Sequence, residues 1–169
     1  MITVDSSAFA ERRAARAGTI RFGSLAVPAA AQHDVEAAFA YLSRDTVARS
    51  LIERIEHART PHRILIDRHD NDAYDPFTRT IRWDPHSAMM TSGGGTQSPA
   101  LGLIHELDHA LQPLRTAIRL QNIADPDYDS AEERRVITGT ETHAARTLHE
   151  ARRYDHDGVC YRVPSPVMR

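Results

Sequence analysis

The fold is decided by the stretch Ser98-Pro99-Ala100-Leu101-Gly102-Leu103-Ile104-His105-Glu106-Leu107-Asp108-His109-Ala110-Leu111. Ser98 is a favoured residue for a helix N-cap, and Pro99 suits the first helical position because its backbone has no N–H to satisfy. Pro113 prevents the helix from continuing beyond about Gln112. Apolar residues recur through the stretch at helical spacing. The pattern therefore predicts an amphipathic helix with one polar edge.

That polar edge carries an H-E-x-x-H motif formed by His105, Glu106 and His109. Residues four apart lie on one face of a helix, so both imidazoles can reach one ion. Glu106 lies one position round the helix and can contact a water on that ion. The motif predicts one zinc ion, bound by His105 and His109, with Glu106 as general base of a metallohydrolase. Gly102 weakens the helix one turn earlier, and we expect it to leave space near the metal.

Composition limits the class of protein. The chain has 169 residues, of which 41% are hydrophobic, which predicts a single domain over residues 19–169 after a flexible segment at residues 1–18. The lone Cys160 excludes a disulfide within the chain and a cysteine zinc site. A net charge of −2 gives no basic surface for nucleic acid. We expect a monomer.

No targeting or membrane segment is evident in the sequence. No stretch approaches the roughly 20 apolar residues of a membrane span, so we expect no membrane partner. Residues 1–18 lack the apolar region of a Sec signal peptide. A specialised secretion system that reads a disordered N-terminus would leave no hydrophobic mark.

The first half of the chain predicts mixed secondary structure. We expect a short helix over residues 7–17, a strand over residues 19–27, and two helices capped by Asp34 and Asp45. The segments 62–68 and 79–84 follow, and they predict an antiparallel pair of strands. The acidic loop between these strands lacks the glycine and glutamate of an EF-hand and predicts a solvated turn.

The sequence after the helix that carries the H-E-x-x-H motif predicts further helices. One spans residues 114–123; a second begins after Ser130 and ends at Gly139; a last one runs from about Glu141 to Arg152. The tail from Asp155 is expected to be irregular. The predicted fold class is α+β, a zincin-like minimal metallopeptidase domain that is mainly helical with a small antiparallel sheet.

A third protein ligand is needed for zinc. Gln112 and Arg115 stand where metzincins have glycine and histidine, so that subclass is excluded. The remaining choice is a glutamate from a later helix: Glu133, with Glu132 and Glu141 as alternatives. Glu133 also has a structural interpretation, because Ser130-x-x-Glu133 forms a capping box.

Three segments together resemble the NleD-type effector metallopeptidases: Trp83-Asp84-Pro85, the motif region 105–110, and Glu132-Glu133-Arg134-Arg135-Val136-Ile137-Thr138-Gly139. Pathogens deliver members of that family into host cells by type III secretion. The resemblance implies a secreted zinc endopeptidase that cleaves a host protein, which for characterised members is a mitogen-activated protein kinase. It covers about residues 80–160.

The Glu-Glu-x-Arg element is also similar to that of clostridial neurotoxin light chains. In those proteins the second glutamate binds zinc, which carries over to Glu133. They also use an Arg-x-x-Tyr pair to stabilise the transition state. The matching spacing here is Arg153-x-x-His156, so the resemblance implies catalytic roles for Arg153 and, in place of the family's tyrosine, for His156.

In zinc peptidases generally, the strand before the H-E-x-x-H helix lies along the substrate cleft. We therefore expect the strand of Thr80, Ile81, Arg82 and Trp83 to offer a free edge to an extended substrate, although Trp83 is equally suited to the core. Two other functions remain open. A hydrolase of a non-peptide amide would have a tight pocket, and a catalytically inactive binding module would keep the metal for stability. The intact Glu106 disfavours the inactive binding module, because a structural metal site has no use for a base.

Overall fold

The protein is described by a computed structural model that covers residues 18–169. The predicted helix at residues 7–17 lies outside the described residues, as does nearly all of the predicted flexible segment. The described chain begins with a hairpin of β1 (Thr19–Phe22) and β2 (Leu25–Pro28), where the sequence predicted one strand. The turn requires Gly23, which has a φ of +57°, because the carbonyl oxygen of Glu56 occupies the place of a side chain.

Two helices follow as predicted, α1 (Gln32–Leu42) and α2 (Thr46–Glu56). The Asp45 cap is confirmed, because its carboxylate accepts a hydrogen bond from the backbone N–H of Ala48 at 2.8 Å. Asp34 instead lies within the first turn of α1. Each helix buries an apolar stripe in the main core.

The main sheet has five strands in the order β1-β2-β3-β5-β4. Its last three strands are β3 (His62–Ile66), β4 (Ala73–Asp75) and β5 (Thr80–Trp83). β3 and β5 pair in parallel, so the predicted antiparallel pair was wrong. The chain uses the intervening loop to form β4, which makes an antiparallel hairpin with β5. β5 therefore runs in the same direction as β3, and β4 becomes the edge strand of the sheet.

A second sheet of three antiparallel strands lies in the order β10-β6-β7. It consists of β6 (Ser87–Thr91), β7 (Thr96–Gln97) and β10 (Gly158–Arg162). The prediction of an irregular tail was wrong for β10, which pairs along its whole length with β6. Helices and small sheets are combined as predicted, but the strands are not limited to one small antiparallel sheet.

The central helix α3 (Pro99–Leu111) agrees with its prediction. The Ser98 hydroxyl does not cap it and instead donates to Glu150 at 2.8 Å. The next helix, α4 (Leu114–Gln121), has no buried residue. It leads through the short hairpin of β8 (Ala124–Asp125) and β9 (Asp129–Ser130) into α5.

Helix α5 (Ala131–Val136) continues through a π-helical turn, Ile137–Glu141, into α6 (Thr142–Leu148). The prediction that Gly139 ends a helix was wrong. Val136 and Ile137 before this glycine and Ala144 and Ala145 after it are buried, and this packing holds the chain helical despite the cost of glycine. The last helix ends at Leu148 rather than at Arg152.

The core packs α3 against the other helices and the main sheet. Trp83 is fully buried and donates its indole N–H to the carbonyl of Pro99 at 2.9 Å. Burial of each large apolar side chain stabilises the fold by about 1.5–3 kcal/mol, so α3 is held on a rigid support. Within residues 18–169, no helix is both long enough and apolar enough to cross a membrane.

Candidate metal centre

Three side chains converge at the polar edge of α3. The Nε2 atoms of His105 and His109 lie 3.0 Å apart. The carboxylate of Glu133 faces both, with Oε2 at 3.0 Å from His105 Nε2 and Oε1 at 3.2 Å from His109 Nε2. Within residues 18–169 this is the one group of metal-binding side chains whose ligand atoms converge, all within 4.8 Å of one another. These residues could hold one metal ion.

Glu133 occupies its position because the start of α5 is fixed locally. The Ser130 hydroxyl accepts a hydrogen bond from the Glu133 backbone N–H at 3.2 Å, which confirms Ser130 as the N-cap. The full capping box was wrong, because the Ser130 backbone N–H donates to the carbonyl of Tyr128 at 2.7 Å and not to the Glu133 side chain. The Glu133 carboxylate meanwhile contacts the two histidines on α3. The backbone of Glu133 therefore serves the cap while its side chain serves the metal centre.

Glu132 and Glu141, the alternative third ligands, contact the opposite nitrogens of the same histidines. Glu141 Oε2 lies 2.8 Å from His105 Nδ1, and Glu132 Oε1 lies 3.2 Å from His109 Nδ1. A carboxylate at Nδ1 fixes the proton there and turns the Nε2 lone pair towards the centre. The two glutamates thus orient the histidines.

Each orienting glutamate is itself held by a basic or amide side chain. Arg135 donates to Glu132 at 2.7 Å and to Asp108 at 2.9 Å. Asp108 is one of the unspecified positions of the H-E-x-x-H motif, and sequence reasoning assigned it no role. Glu141 accepts a hydrogen bond from Gln97 at 2.8 Å. The orientation of the two histidine rings therefore depends on hydrogen bonds from α5 and β7 as well as on α3 itself.

The electrostatics of the cluster favour a cation at its centre. Burial lowers the pKa of His105, but hydrogen bonds to Glu133 and Glu141 outweigh it and raise this pKa to about 10. Burial likewise lowers the pKa of His109, and hydrogen bonds to Glu132 and Glu133 raise it to about 9. Burial raises the pKa of Glu133, but its hydrogen bonds to the histidines hold the pKa far below its usual value. Buried carboxylates thus demand positive charge here, either as protons or as a metal ion.

The donor set fits zinc. Two imidazoles and one carboxylate form the three-ligand set of a catalytic zinc site, which leaves a further position for water or substrate. With Nδ1 protonated, the Nε2 lone pairs of His105 and His109 and the Glu133 carboxylate are all acceptors at close range. Such acceptors repel one another unless a cation lies between them.

Glu106 lies beside the three donors without joining them. Its Oε1 is 4.0 Å from His105 Nε2, and its side chain is buried. Burial raises the pKa of Glu106. A carboxylate of increased basicity next to a candidate metal is suited to accept a proton from water.

Asp72 is a further acidic residue at the centre that sequence reasoning missed. Its Oδ1 accepts the backbone N–H of Asp84 at 2.7 Å. Its Oδ2 would lie 2.8 Å from a Cβ at Gly102, so the glycine admits this carboxylate onto the helix. The space expected above Gly102 is therefore filled by Asp72. Burial raises the pKa of Asp72 to about 8, and the nearby charge of Glu106 contributes.

A signal for Asp72 existed in the sequence: a glycine one turn before the motif, together with an acidic loop. The sequence predicted a solvated turn for this loop, but the prediction was wrong for Asp72, which is turned towards the metal centre. Asp72 lines both cavities that border this centre.

The two residues implied by the neurotoxin resemblance lie at different distances from the centre. His156 Nε2 is 3.5 Å from Glu133 Oε2, and its Nδ1 is 2.8 Å from Asp129. Arg153 contacts Glu141 at 3.4 Å and donates to the backbone carbonyl of His156 at 2.8 Å. His156 thus contacts Glu133 of the candidate metal centre directly, whereas Arg153 contacts Glu141, which orients His105. Their catalytic roles remain predictions.

The predicted substrate-binding strand does not have a free edge. Its residues Thr80, Ile81, Arg82 and Trp83 form β5, which pairs with β3 on one side and β4 on the other. The prediction of an edge at β5 was wrong because β4 adds to the sheet outside it. Ala73 and Tyr74 of β4 line the cleft instead.

Two cavities border the metal centre. Their volumes are about 790 Å³ and about 260 Å³. Asp72, His105, Glu106 and His156 line both cavities, so the two meet at the candidate metal. A cleft of this form can accept a chain that passes across the metal.

Comparison of the chain with protein-family models, with curated proteins and with solved structures gives no match. The resemblance to NleD-type metallopeptidases stays a prediction from three sequence segments. The functional interpretation therefore depends on the geometry of the metal centre and its cleft.

Proposed function

We propose that this protein is a zinc-dependent endopeptidase with a zincin-like fold. The observation that carries the proposal is the convergence of His105, His109 and Glu133 with the separate carboxylate of Glu106 beside them. A site that only stabilises the fold has no use for a buried base next to its ligands. This arrangement favours hydrolysis over a structural metal site.

Each residue of the centre has a distinct role in the proposed reaction. His105, His109 and Glu133 would hold zinc, and zinc, when bound, supplies the Lewis acid that acidifies water and polarises a carbonyl. Glu106 accepts the proton of the attacking water and transfers it to the leaving amine. Glu132 and Glu141 keep the imidazoles oriented during these transfers.

The substrate that fits the cleft best is an extended polypeptide. β4 is the edge strand of the main sheet and lies against α3. Its outer backbone groups can pair with a peptide laid across the metal centre. The two cavities that meet at the centre offer more room than a small amide needs, which favours an endopeptidase over a hydrolase with a tight pocket.

His156 is the proposed hydrogen-bond donor to the transition state. Hydrolysis puts negative charge on the former carbonyl oxygen, and a preorganised donor lowers that barrier. His156 lies within reach of the Glu133 carboxylate, so its ring borders the reacting centre. Arg153 supports this position through its hydrogen bond to the His156 carbonyl.

The proposal has two further parts: the substrate is a host protein such as a kinase, and a specialised secretion system delivers the chain. Both are supported by the sequence resemblance alone.

The proposed function is tested by combining metal analysis with Glu106→Gln. The purified chain should contain one zinc ion and cut members of a peptide library. Glu106→Gln should keep zinc but lower kcat by about 10²–10⁴, because the amide cannot accept the proton. The matched control is Glu53→Gln, which alters an exposed glutamate on α2. This variant should keep both the zinc content and the kcat of the wild type. An active chain without metal, or full activity in Glu106→Gln, would contradict the proposal.

A further inference from the structure

The larger cavity has an apolar rim that the proposed chemistry does not use. Phe77, in the turn between β4 and β5, is 82% exposed. Leu114 and Ile118 of α4, which line the same cavity, are 45% and 44% exposed. All three side chains line the cavity. Two separate elements thus leave large apolar side chains open to water at one place.

Helix α4 accounts for most of this rim. It is amphipathic, yet none of its residues is buried. Leu114, Ala117 and Ile118 are spaced three and four apart, so they share one face, and each lines the cavity. An apolar helix face normally packs on a core. Here it borders the cleft.

The wall formed by α4 and its flanks carries no charge. Its lining side chains are apolar or neutral and polar: Gln112, Leu114, Ala117, Ile118, Gln121 and Asn122. The helix does contain Arg115 and Arg119, but neither lines the cavity. A charged side chain entering here would lose water without gaining a counter-charge from this wall. The wall therefore favours an apolar occupant.

The rim is continuous with the metal centre, because His105, Glu106 and Glu133 line the same cavity. A peptide that crosses the centre along β4 would bring side chains that flank its scissile bond to this cavity. Resting on the proposed peptidase function, we propose that Phe77, Leu114 and Ile118 form a specificity subsite for a bulky apolar side chain of the substrate, such as leucine, isoleucine, methionine or phenylalanine.

The experiment compares matched serine substitutions inside and outside the subsite. Leu114→Ser and Ile118→Ser change the rim. Leu65→Ser and Ile123→Ser are the controls, because Leu65 and Ile123 are 52% and 50% exposed and line neither of the two cavities. All four side chains are substantially exposed, so folding and zinc content should be preserved.

Zinc-loaded protein is given peptides that differ only in the residues flanking the scissile bond. At one flanking position, the wild-type chain should prefer leucine or phenylalanine to serine or aspartate. The ratio of kcat/KM for apolar over polar peptides should fall about tenfold in Leu114→Ser and in Ile118→Ser, because each removes part of the apolar surface buried by the substrate. The two controls should keep the wild-type ratio.

A second measurement separates the subsite from the peptidase activity. Binding of fluorescent peptides to zinc-loaded Glu106→Gln is followed by anisotropy, with and without the rim substitutions. An apolar preference that disappears with Ile118→Ser supports the subsite even if no peptide is cut, in which case only the proposed function fails. The absence of an apolar preference in binding overturns the subsite whether or not the chain is active. A concentration-dependent dimer abolished by Ile118→Ser also overturns it and assigns the rim to a second copy.

Discussion

The helical pair α1–α2 and the segment α5–α6 are buried against the same central helix by different interactions. The pair contributes almost only apolar side chains to the core, among them Val35, Leu42, Leu51 and Ile55. The segment α5–α6 also buries apolar side chains, such as Ile137 and Leu148, but it adds two buried carboxylates, Glu132 and Glu141, against the histidines of α3.

This difference determines what each region needs in order to be stable. Apolar burial needs no particular partner and is insensitive to metal. A buried carboxylate is costly unless a counter-charge and hydrogen bonds compensate for its lost hydration. The helical pair should therefore respond to the volume of its side chains, whereas α5–α6 should respond to metal and to charge.

The largest effect is expected for Glu133→Gln. The substitution keeps the shape of the side chain but replaces an anionic ligand with a neutral amide. Zinc affinity should fall by about 100-fold or more, beyond the loss typical of residues outside the ligand set. Competition with a chelator measures it. If Glu133→Gln binds zinc as the wild type does, the Glu133 carboxylate is not a zinc ligand.

Ile55→Ala tests the apolar region. Ile55 is fully buried on α2, so the substitution should lower the free energy of unfolding by about 2–5 kcal/mol, through lost burial and a new cavity. Zinc affinity of the folded protein should not change. Urea denaturation and chelator competition measure the two quantities, with the exposed Leu65→Ala as control. A large loss of zinc affinity would show that the two regions are not independent.

Glu141→Gln tests the orientation of His105. The amide can still accept the Nδ1 hydrogen bond but lacks the charge, so zinc affinity should fall by about tenfold. The matched control is Glu150→Gln, since Glu150 is a buried carboxylate that accepts hydrogen bonds from Ser98 and Tyr41 and contacts neither His105 nor His109. Equal losses of zinc affinity in both variants would mean that the effect comes from packing and not from the histidine.

Asp45 links the two regions, and it should give the smallest effect. It caps α2 and also accepts hydrogen bonds from Thr147 and His143 on α6, both at 2.7 Å. Burial raises the pKa of Asp45, but these bonds and that from Ala48 outweigh it and hold the pKa below the usual 3.8. The charged form therefore contributes stability above about pH 3.8, which is lost as pH falls through the lower pKa of the folded state.

In the variant Asp45→Asn, the asparagine side chain should still cap α2 but cannot carry the negative charge. The metal-free Asp45→Asn protein should be less stable than the wild type by about 1 kcal/mol near neutral pH. The difference should shrink as the pH falls below 3.8 and passes through the lower pKa of the folded wild type, where the carboxylate is protonated. Urea denaturation at several pH values measures it. A difference that stays constant over the whole range would exclude the charge as its cause.

The sequence alone determined the elements whose formation is local. The limits of α3 follow from Pro99 and Pro113, the caps of α2 and α5 follow from Asp45 and Ser130, and the placement of His105, Glu106 and His109 on one helix edge follows from their spacing. Each depends on contacts within a few residues along the chain. For the same reason, the predicted metal-binding histidines are brought together as expected.

The tertiary structure decided which side chains meet across elements. The parallel pairing of β3 with β5, the edge position of β4 and the pairing of β10 with β6 each join distant parts of the chain. The choice of Glu133 over Glu132 and Glu141 depends on how α5 and its π-helical turn pack on α3, since all three glutamates face the histidines. The carboxylate of Asp72 reaches the centre only because a distant loop packs over Gly102. Such contacts depend on the three-dimensional fit of buried surfaces, which the local chemistry of the sequence does not specify.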